Sequence, residues 1–274
     1  MKYSVCMSVY RKDNPTHFIL AINSIINQSS VPAEIILVID GPIDEELEFA
    51  VKNIQLTCHI LKVIRLKDNQ GHAAARQTAI LHASYDLIGL MDSDDISLPD
   101  RFEKQLAIFQ HDQQLSVLGG QISEFIDTVD NIVGYRKVPL SDYDIKRYLK
   151  KRCPFNQMTV MIRKSAILSV GGYQDWFCNE DYYLWVRLAL ANCKFKNLSY
   201  ILVNMRVGKE MYRRRGGVKY YKSEAKLQKY MLAHKLINFQ QYIFNIIVRF
   251  IVQVLLPNWL RGFIFQKCFR KHVI

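Results

Sequence analysis

No G-x-G-x-x-G follows the first apolar run of this chain, and no G-x-x-x-x-G-K-[ST] occurs anywhere in it. Those absences remove the glycine-rich phosphate cradles of dinucleotide-dependent redox enzymes and of P-loop hydrolases. The six cysteines (Cys6, Cys58, Cys153, Cys178, Cys193, Cys268) contain no C-x-x-C pair and read as thiols in a reducing compartment. The start of the chain lacks the long apolar stretch and small-residue cleavage site of a secretory leader, so the bulk of the protein is expected in the cytoplasm. Repeats and low-complexity tracts are missing too. Acidic residues are scarce near the end: residues 201–274 hold 15 Lys and Arg against only Glu210 and Glu224, a balance of +13. Residues 1–200 hold 22 basic and 23 acidic residues, so the +12 of the whole chain belongs to its tail. Such asymmetry indicates a specialised C-terminal surface, not a generally cationic protein.

Half of the 274 residues are hydrophobic, with 15 Tyr and 14 Phe, which excludes a disordered chain. The length allows one large domain, or one domain with an appendage. Over the first half, short apolar runs alternate with amphipathic stretches. Tyr3–Val9, Ile35–Ile39, Ile60–Leu66 and Leu87–Met91 read as buried strands. His17–Asn27, Asp44–Ile54 and the Ala-rich stretch from Gly71 to Ala83 read as helices between them. The order predicts a mostly parallel sheet covered on both faces. Ligands of such sheets bind beyond the carboxyl ends of the strands. Polar residues gather at those ends: Ser8–Arg11, Asp40, Asp68–Gly71 and Asp92–Asp95. Later, Glu124–Lys137 predicts a hairpin around Asp130-Asn131, Met158–Arg163 a strand, Gly171-Gly172 a turn and Glu180–Leu190 a helix.

Asp92, Asp94 and Asp95 place three carboxylates within four residues at a strand end. Like charges this close raise one another's pKa unless a cation neutralises them. Hard oxygen ligands suit Mg²⁺ or Mn²⁺, ions that take one or two carboxylates and complete their shell with phosphates. The alternative is a solvated Asp-rich turn ahead of the helix that starts near Pro99.

Ser8-Val9-Tyr10, Asp40-Gly41, Asn69-Gln70-Gly71 with Ala74-Ala75-Arg76, Asp92-Ser93-Asp94-Asp95, and Glu180-Asp181 with Trp185 and Arg187 resemble, as an ordered set, the motifs of family-2 glycosyltransferases, inverting enzymes of the GT-A fold. The stretch Tyr212-Arg213-Arg214-Arg215-Gly216-Gly217 is similar to bacterial polysaccharide-biosynthesis members of the amylovoran type. The resemblance implies a catalytic domain over 1–205, its nucleotide-binding half about 1–120 and its acceptor half about 121–205, followed by a basic, amphipathic helical region over 206–274. It implies metal-dependent, inverting transfer of a hexose from a nucleotide-sugar, with uracil the expected base, to a glycan or lipid-linked saccharide. Ser8 and Tyr10 would line the base, Asp40 would hydrogen-bond it, and Arg76 and Ser93 would lie near the nucleotide. Asp92 would contact ribose or metal, and Asp94 would ligate the metal directly.

Inverting displacement needs a base for the acceptor hydroxyl. Asp181, second of the Glu-Asp pair and in the first turn of a helix whose dipole favours ionisation, is the candidate. Glu180 is its rival, and Trp185 could stack on sugar or pack in the core. Arg214 and Arg215 would meet a diphosphate or a phosphorylated lipid acceptor. No RNA- or DNA-binding motif accompanies the basic tail, so no nucleic-acid partner is expected, although a non-catalytic nucleotide-sugar or nucleic-acid binding protein would share that tail. Within Tyr242–Phe265, Asn245, Arg249 and Gln253 mark one polar helix face. Arg249 and Pro257 argue against a membrane span. The segment reads as an amphipathic helix on the cytoplasmic leaflet, giving peripheral membrane association, or as a helix packed on the catalytic domain.

Overall fold

A computed structural model describes residues 1–208 and 216–257. Nine strands form one sheet in the order β3-β2-β1-β4-β8-β6-β9-β5, with β7 paired to β6. The strands are β1 (Ser4–Val9), β2 (Glu34–Ile39), β3 (Leu61–Arg65), β4 (Leu87–Leu90), β5 (Ile96–Ser97), β6 (Leu115–Phe125), β7 (Ile132–Arg136), β8 (Met161–Arg163) and β9 (Lys194–Arg206). β1 runs parallel to both β2 and β4, and β2 parallel to β3, as the alternating pattern predicts. Beyond β4 the sheet becomes mixed. β8 lies antiparallel to β4 and β6, while β9 is parallel to β6 and antiparallel to β5.

Side-chain alternation assigns each strand residue to one of two cores. Val5, Met7, Val9, Ile35, Leu37 and Ile39 face α1 (Pro15–Ile26), α2 (Glu45–Thr57) and α4 (Arg101–His111). Cys6, Ile36, Val38, Ile88 and Leu90 face α3 (His72–His82) and α7 (Glu180–Leu190). Local chemistry starts these helices where they are needed. Asn14 caps α1 by accepting from His17 N, with Pro15 next in line, and Asp44 caps α2 by accepting from Leu47 N.

The hairpin forms around residues 126–131, but its first strand is far longer than the alternation suggested. All of β6 except Ser116 is buried, so no polar face marks its course. α5 (Asp142–Leu149) and α6 (Lys164–Ser169) lie between β7 and α7 in chain order. β9 ends at Arg206, and α8 (Val218–Ala233) and α9 (Phe239–Phe250), the latter continuing as a π-helical turn over Ile251–Leu255, then dock on the body. Leu227, Met231 and Ile237 join the same core as Trp176 and Tyr183, and Trp176 Nε1 donates to Ser223 O. Among the described residues no helix is long and apolar enough to cross a membrane.

Candidate active site

The loops after β2 and β3 interlock. Asp40 is buried, and its carboxylate accepts from Gln70 N at 2.7 Å, Gly71 N at 2.9 Å and Asn69 Nδ2 at 3.1 Å. Gly41 has φ +82°, and a Cβ there would stand 2.5 Å from Asn69 N, so only glycine lets the two loops approach. Asp40 therefore has a duty that the sequence did not reveal: its carboxylate staples the Asn69–Gly71 loop to the end of β2.

The loop after β4 is more densely charged. Ser93 Oγ donates to Asp13 Oδ2 at 2.9 Å, and Tyr10 N donates to the same oxygen at 3.2 Å. Asp13 thus joins the ends of β1 and β4. Sequence reading missed it, although it is the only acidic residue before Glu34. Asp95 is buried, and its Oδ1 accepts from Arg206 N at 2.8 Å, tying the loop to the end of β9. Asp94 opens to solvent on one side, yet partial desolvation and then the charges of Asp92 and Asp13 push its carboxyl up to about 6. Burial, followed by Asp94 and Asp92, also pushes Asp95 well above the usual carboxylate range.

Arg76 joins the two halves. Its Nη2 donates to Asp92 Oδ1 and its Nη1 to Glu180 Oε1, both at 2.9 Å, with the guanidinium 14% exposed. These partners lie 16 and 104 residues away in sequence. Burial works against its charge, but Asp92, Tyr173, Glu180 and Asp181 more than offset this and hold Arg76 firmly protonated. Ser8, Arg76 and Asp92 line one small recess. Tyr10 meets His72 edge-on at 6.0 Å, which brings His72, with no assigned role in the sequence, to the rim of the same cleft.

Asp181 follows Glu180 on the first turn of α7. Tyr182 N donates to Oδ1 at 2.6 Å, and the Cys153 thiol lies 3.9 Å from Oδ2. Desolvation and then Glu180 push its carboxyl up to about 6, against the pull of Arg76. Trp185 takes the core alternative: it is fully buried against Phe155, ring centroids 5.0 Å apart, and cannot reach a sugar. Arg187 is likewise structural, donating to Val170 O and Gly172 O and so holding the Gly171-Gly172 turn. Arg214 and Arg215 lie outside the described residues.

Asp92, Asp94, Asp95 and Asp13 crowd four carboxyl groups together, and among the described residues Arg76 pairs with Asp92 while Arg206 lies against Asp94 and Asp95. Asp94, with Asp92 beside it, is the donor set a hard divalent cation would take, provided a phosphate completes the shell. The described residues contain no group of three His, Cys, Asp or Glu side chains that could hold an ion unaided.

Removing the Arg76 charge should expose how tightly the cluster depends on it. The Arg76→Met protein is expected to lose about 3 kcal/mol of stability in urea at pH 8, because Asp92, Glu180 and Asp181 are left uncompensated. The deficit should shrink at pH 5, where Asp181 takes up a proton.

The sequence profile of Glycosyl transferase family 2 matches residues 4–177. An uncharacterized glycosyltransferase of Haemophilus influenzae is 41% identical, covering 99% of this chain and 100% of its own. The UDP-Gal:alpha-D-GlcNAc-diphosphoundecaprenol beta-1,3-galactosyltransferase of Escherichia coli is 36% identical over 98% and 97% of the two chains. The amylovoran biosynthesis glycosyltransferase AmsE of Erwinia amylovora is 31% identical over 97% and 98%. Among solved structures, Staphylococcus aureus TarS 1–349 in complex with UDP-GlcNAc superposes with a TM-score of 0.65, at 18% identity, over 97% of this chain and 75% of that one.

Proposed function

Because the chain belongs to glycosyl transferase family 2, we propose that it moves a hexose from a UDP-sugar to a lipid-linked saccharide, with inversion, in the building of a cell-surface polysaccharide. The observation that carries this is Arg76, which unites the donor-side carboxylate Asp92 with the Glu180-Asp181 pair in one cleft. A solvated Asp-rich turn would not need a half-buried arginine linking it to a helix 104 residues away.

Ser8, Tyr10 and Asp40 cradle the base, Asp40 mainly by fixing the Asn69–Gly71 loop, and Arg76, Asp92 and Ser93 stand at the ribose and phosphates. Asp181 takes the proton of the acceptor hydroxyl. The acceptor oxygen then bonds to the anomeric carbon from the face opposite the leaving group, and the carbon–oxygen bond to the diphosphate breaks to release UDP. A carboxyl near 6 is mostly ionised at neutral pH yet still basic enough for this transfer. Glu180 acts through Arg76 as a positioning residue. A Mn²⁺ or Mg²⁺ held by Asp94 and Asp92 would neutralise charge developing on the diphosphate. Arg214 and Arg215 are assigned to the diphosphate or a phosphorylated acceptor, and residues 206–274 to the inner surface of the cell membrane, where a lipid-linked acceptor lies.

The test is a thermal-shift screen of UDP-, GDP- and dTDP-sugars with Mn²⁺, followed by UDP release on adding saccharide-diphosphate lipid. A UDP-sugar at about 100 times its Kd should add about 2.7 kcal/mol, a shift of several degrees. No nucleotide-sugar response, together with steeply salt-dependent nucleic-acid binding, would instead favour a non-catalytic nucleic-acid binding protein.

A further inference from the structure

The helix Phe239–Phe250 and its continuation through Leu255 are turned inside out. Asn245, Arg249 and Gln253 are only 4%, 8% and 5% exposed, whereas Phe239, Phe244, Ile247 and Leu255 are 66%, 61%, 52% and 61% exposed. The polar stripe is the packing face. Asn245 Nδ2 donates to Lys150 O at 2.9 Å and to Gln228 Oε1 at 2.8 Å. Arg249 Nη2 donates to Lys151 O at 2.7 Å, its Nε pairs with Glu224 at 2.9 Å, and Gln253 Nε2 donates to the same carboxylate. Arg249 is the only charged residue between Leu236 and Leu260, so the outward face carries no charge at all.

Among the described residues nothing covers this face, and an apolar patch left open ordinarily marks an interaction surface. Its surroundings select the partner. A cleft lined by Lys150, Lys235, Asn238 and Gln241 opens beside the start of the helix. Lys222, Lys226 and Lys229 of α8 are also exposed, and the tail as a whole carries +13. An uncharged apolar face beside a cationic rim complements the acyl chains and anionic headgroups of a lipid leaflet. Gln240 is the one exposed polar residue among Phe239, Ile243, Phe244, Ile247 and Ile251, and the lysines beside this face favour an anionic leaflet over a second apolar protein surface.

We propose that Phe239–Leu255 is a membrane-docking helix whose polar stripe fastens it to the catalytic body and whose apolar face enters the acyl region of an anionic leaflet, holding the Asp181 end of the cleft at the bilayer surface. The strap of residues 149–153 makes that connection. Lys150 and Lys151 give their carbonyls to the helix, Leu149 O accepts from Tyr182 Oη, and the Cys153 thiol faces Asp181. The membrane side and the base therefore share one five-residue segment. The inference rests on the reading of a lipid-linked acceptor, which it sharpens by saying which surface meets the lipid.

Vesicle flotation of the full chain, with neither donor nor acceptor added, tests it independently of the glycosyltransferase reading. The wild type should float with vesicles of equimolar phosphatidylethanolamine and phosphatidylglycerol, and at least tenfold less with phosphatidylcholine alone. The double variant Phe244→Gln, Ile247→Gln should bind the anionic vesicles at least tenfold more weakly, with an unchanged melting temperature because both side chains are already exposed. Unaltered flotation of that variant would overturn the proposal. So would a concentration-dependent dimer of the wild type that the same variant dissolves, since the face would then be occupied by a second copy. Failure of the donor screen with flotation as expected would sink the transferase reading and leave the membrane surface standing.

Discussion

Asp181→Asn is expected to abolish sugar transfer, lowering kcat by about 10²–10⁴-fold, the range a positioned general base supplies. UDP-sugar binding by thermal shift should stay within a few-fold of wild type, since the ion pair that reaches the donor side runs from Arg76 to Glu180, while Asp181 meets Tyr182 N and the Cys153 thiol. The wild-type pH profile should agree. The base acts ionised, so log kcat/KM should fall with unit slope as pH drops below about 6 and flatten above it. Stability should move the other way. Burial raises the folded carboxyl from its ordinary 3.8 to about 6, so the folded state binds the proton more tightly than the unfolded state. Stability contributed by the protonated form is complete below about 3.8 and is lost as pH rises through about 6. The Asn variant, which cannot ionise, should therefore melt higher than wild type at pH 8 and equal to it near pH 3.5. Retained turnover in Asp181→Asn, with loss in Glu180→Gln, would move the base to Glu180. Loss in both with the pH edge kept in Glu180→Gln would leave Glu180 as the residue that positions Arg76.

The candidate site is legible in the sequence only in part. The polar strand ends were legible because a short apolar run, buried on both faces, stops abruptly where the strand leaves the sheet. Val9 gives way to Tyr10, Ile39 to Asp40 and Met91 to Asp92, and the parallel order then forces those ends onto one edge. Partner choice was not legible, because it depends on contacts between distant segments. Nothing in an Ala-rich helix says that Arg76 reaches both Asp92 and Glu180. Arg101 looks like a surface residue of α4, yet it is fully buried, donates to Leu90 O at 2.9 Å and braces the strand that carries Asp92. Desolvation lowers its pKa to about 9, a cost accepted to satisfy carbonyls at the irregular junction of β4 and β8. The stripe of Asn245, Arg249 and Gln253 was visible at four-residue spacing, but periodicity identifies two faces without saying which turns inward. Here the carbonyls of the 150–151 strap needed donors, and the polar face supplied them.

Asp94→Ala is expected to cost transfer about 10²–10³-fold and to remove the Mn²⁺-dependent part of the UDP-sugar thermal shift. Chelation of the wild type should have the same effect, and added Mn²⁺ should restore activity to the wild type but not to the variant at matched concentration. The reason lies in the charge balance of the loop. Asp92 already spends one oxygen on Arg76, and Asp95 is buried against Arg206 N, whereas Asp94 turns its carboxylate toward solvent on one side, pushed up to about 6 by partial desolvation and then by the charges of Asp92 and Asp13. A group raised by its neighbours' charges gains most from a cation, which reverses the sign of the local field. The same argument separates structural from metal-binding roles without turnover. Deleting Asp94 relieves repulsion, so the ligand-free variant should melt at or above the wild-type temperature at pH 7.5. Asp92→Ala, by contrast, takes a partner from the half-buried Arg76 and should melt lower. Equal destabilisation by both substitutions would mean that Asp94 serves the fold of the loop, and undiminished transfer in excess chelator would mean that Arg76 and Arg206, not a metal, balance the diphosphate.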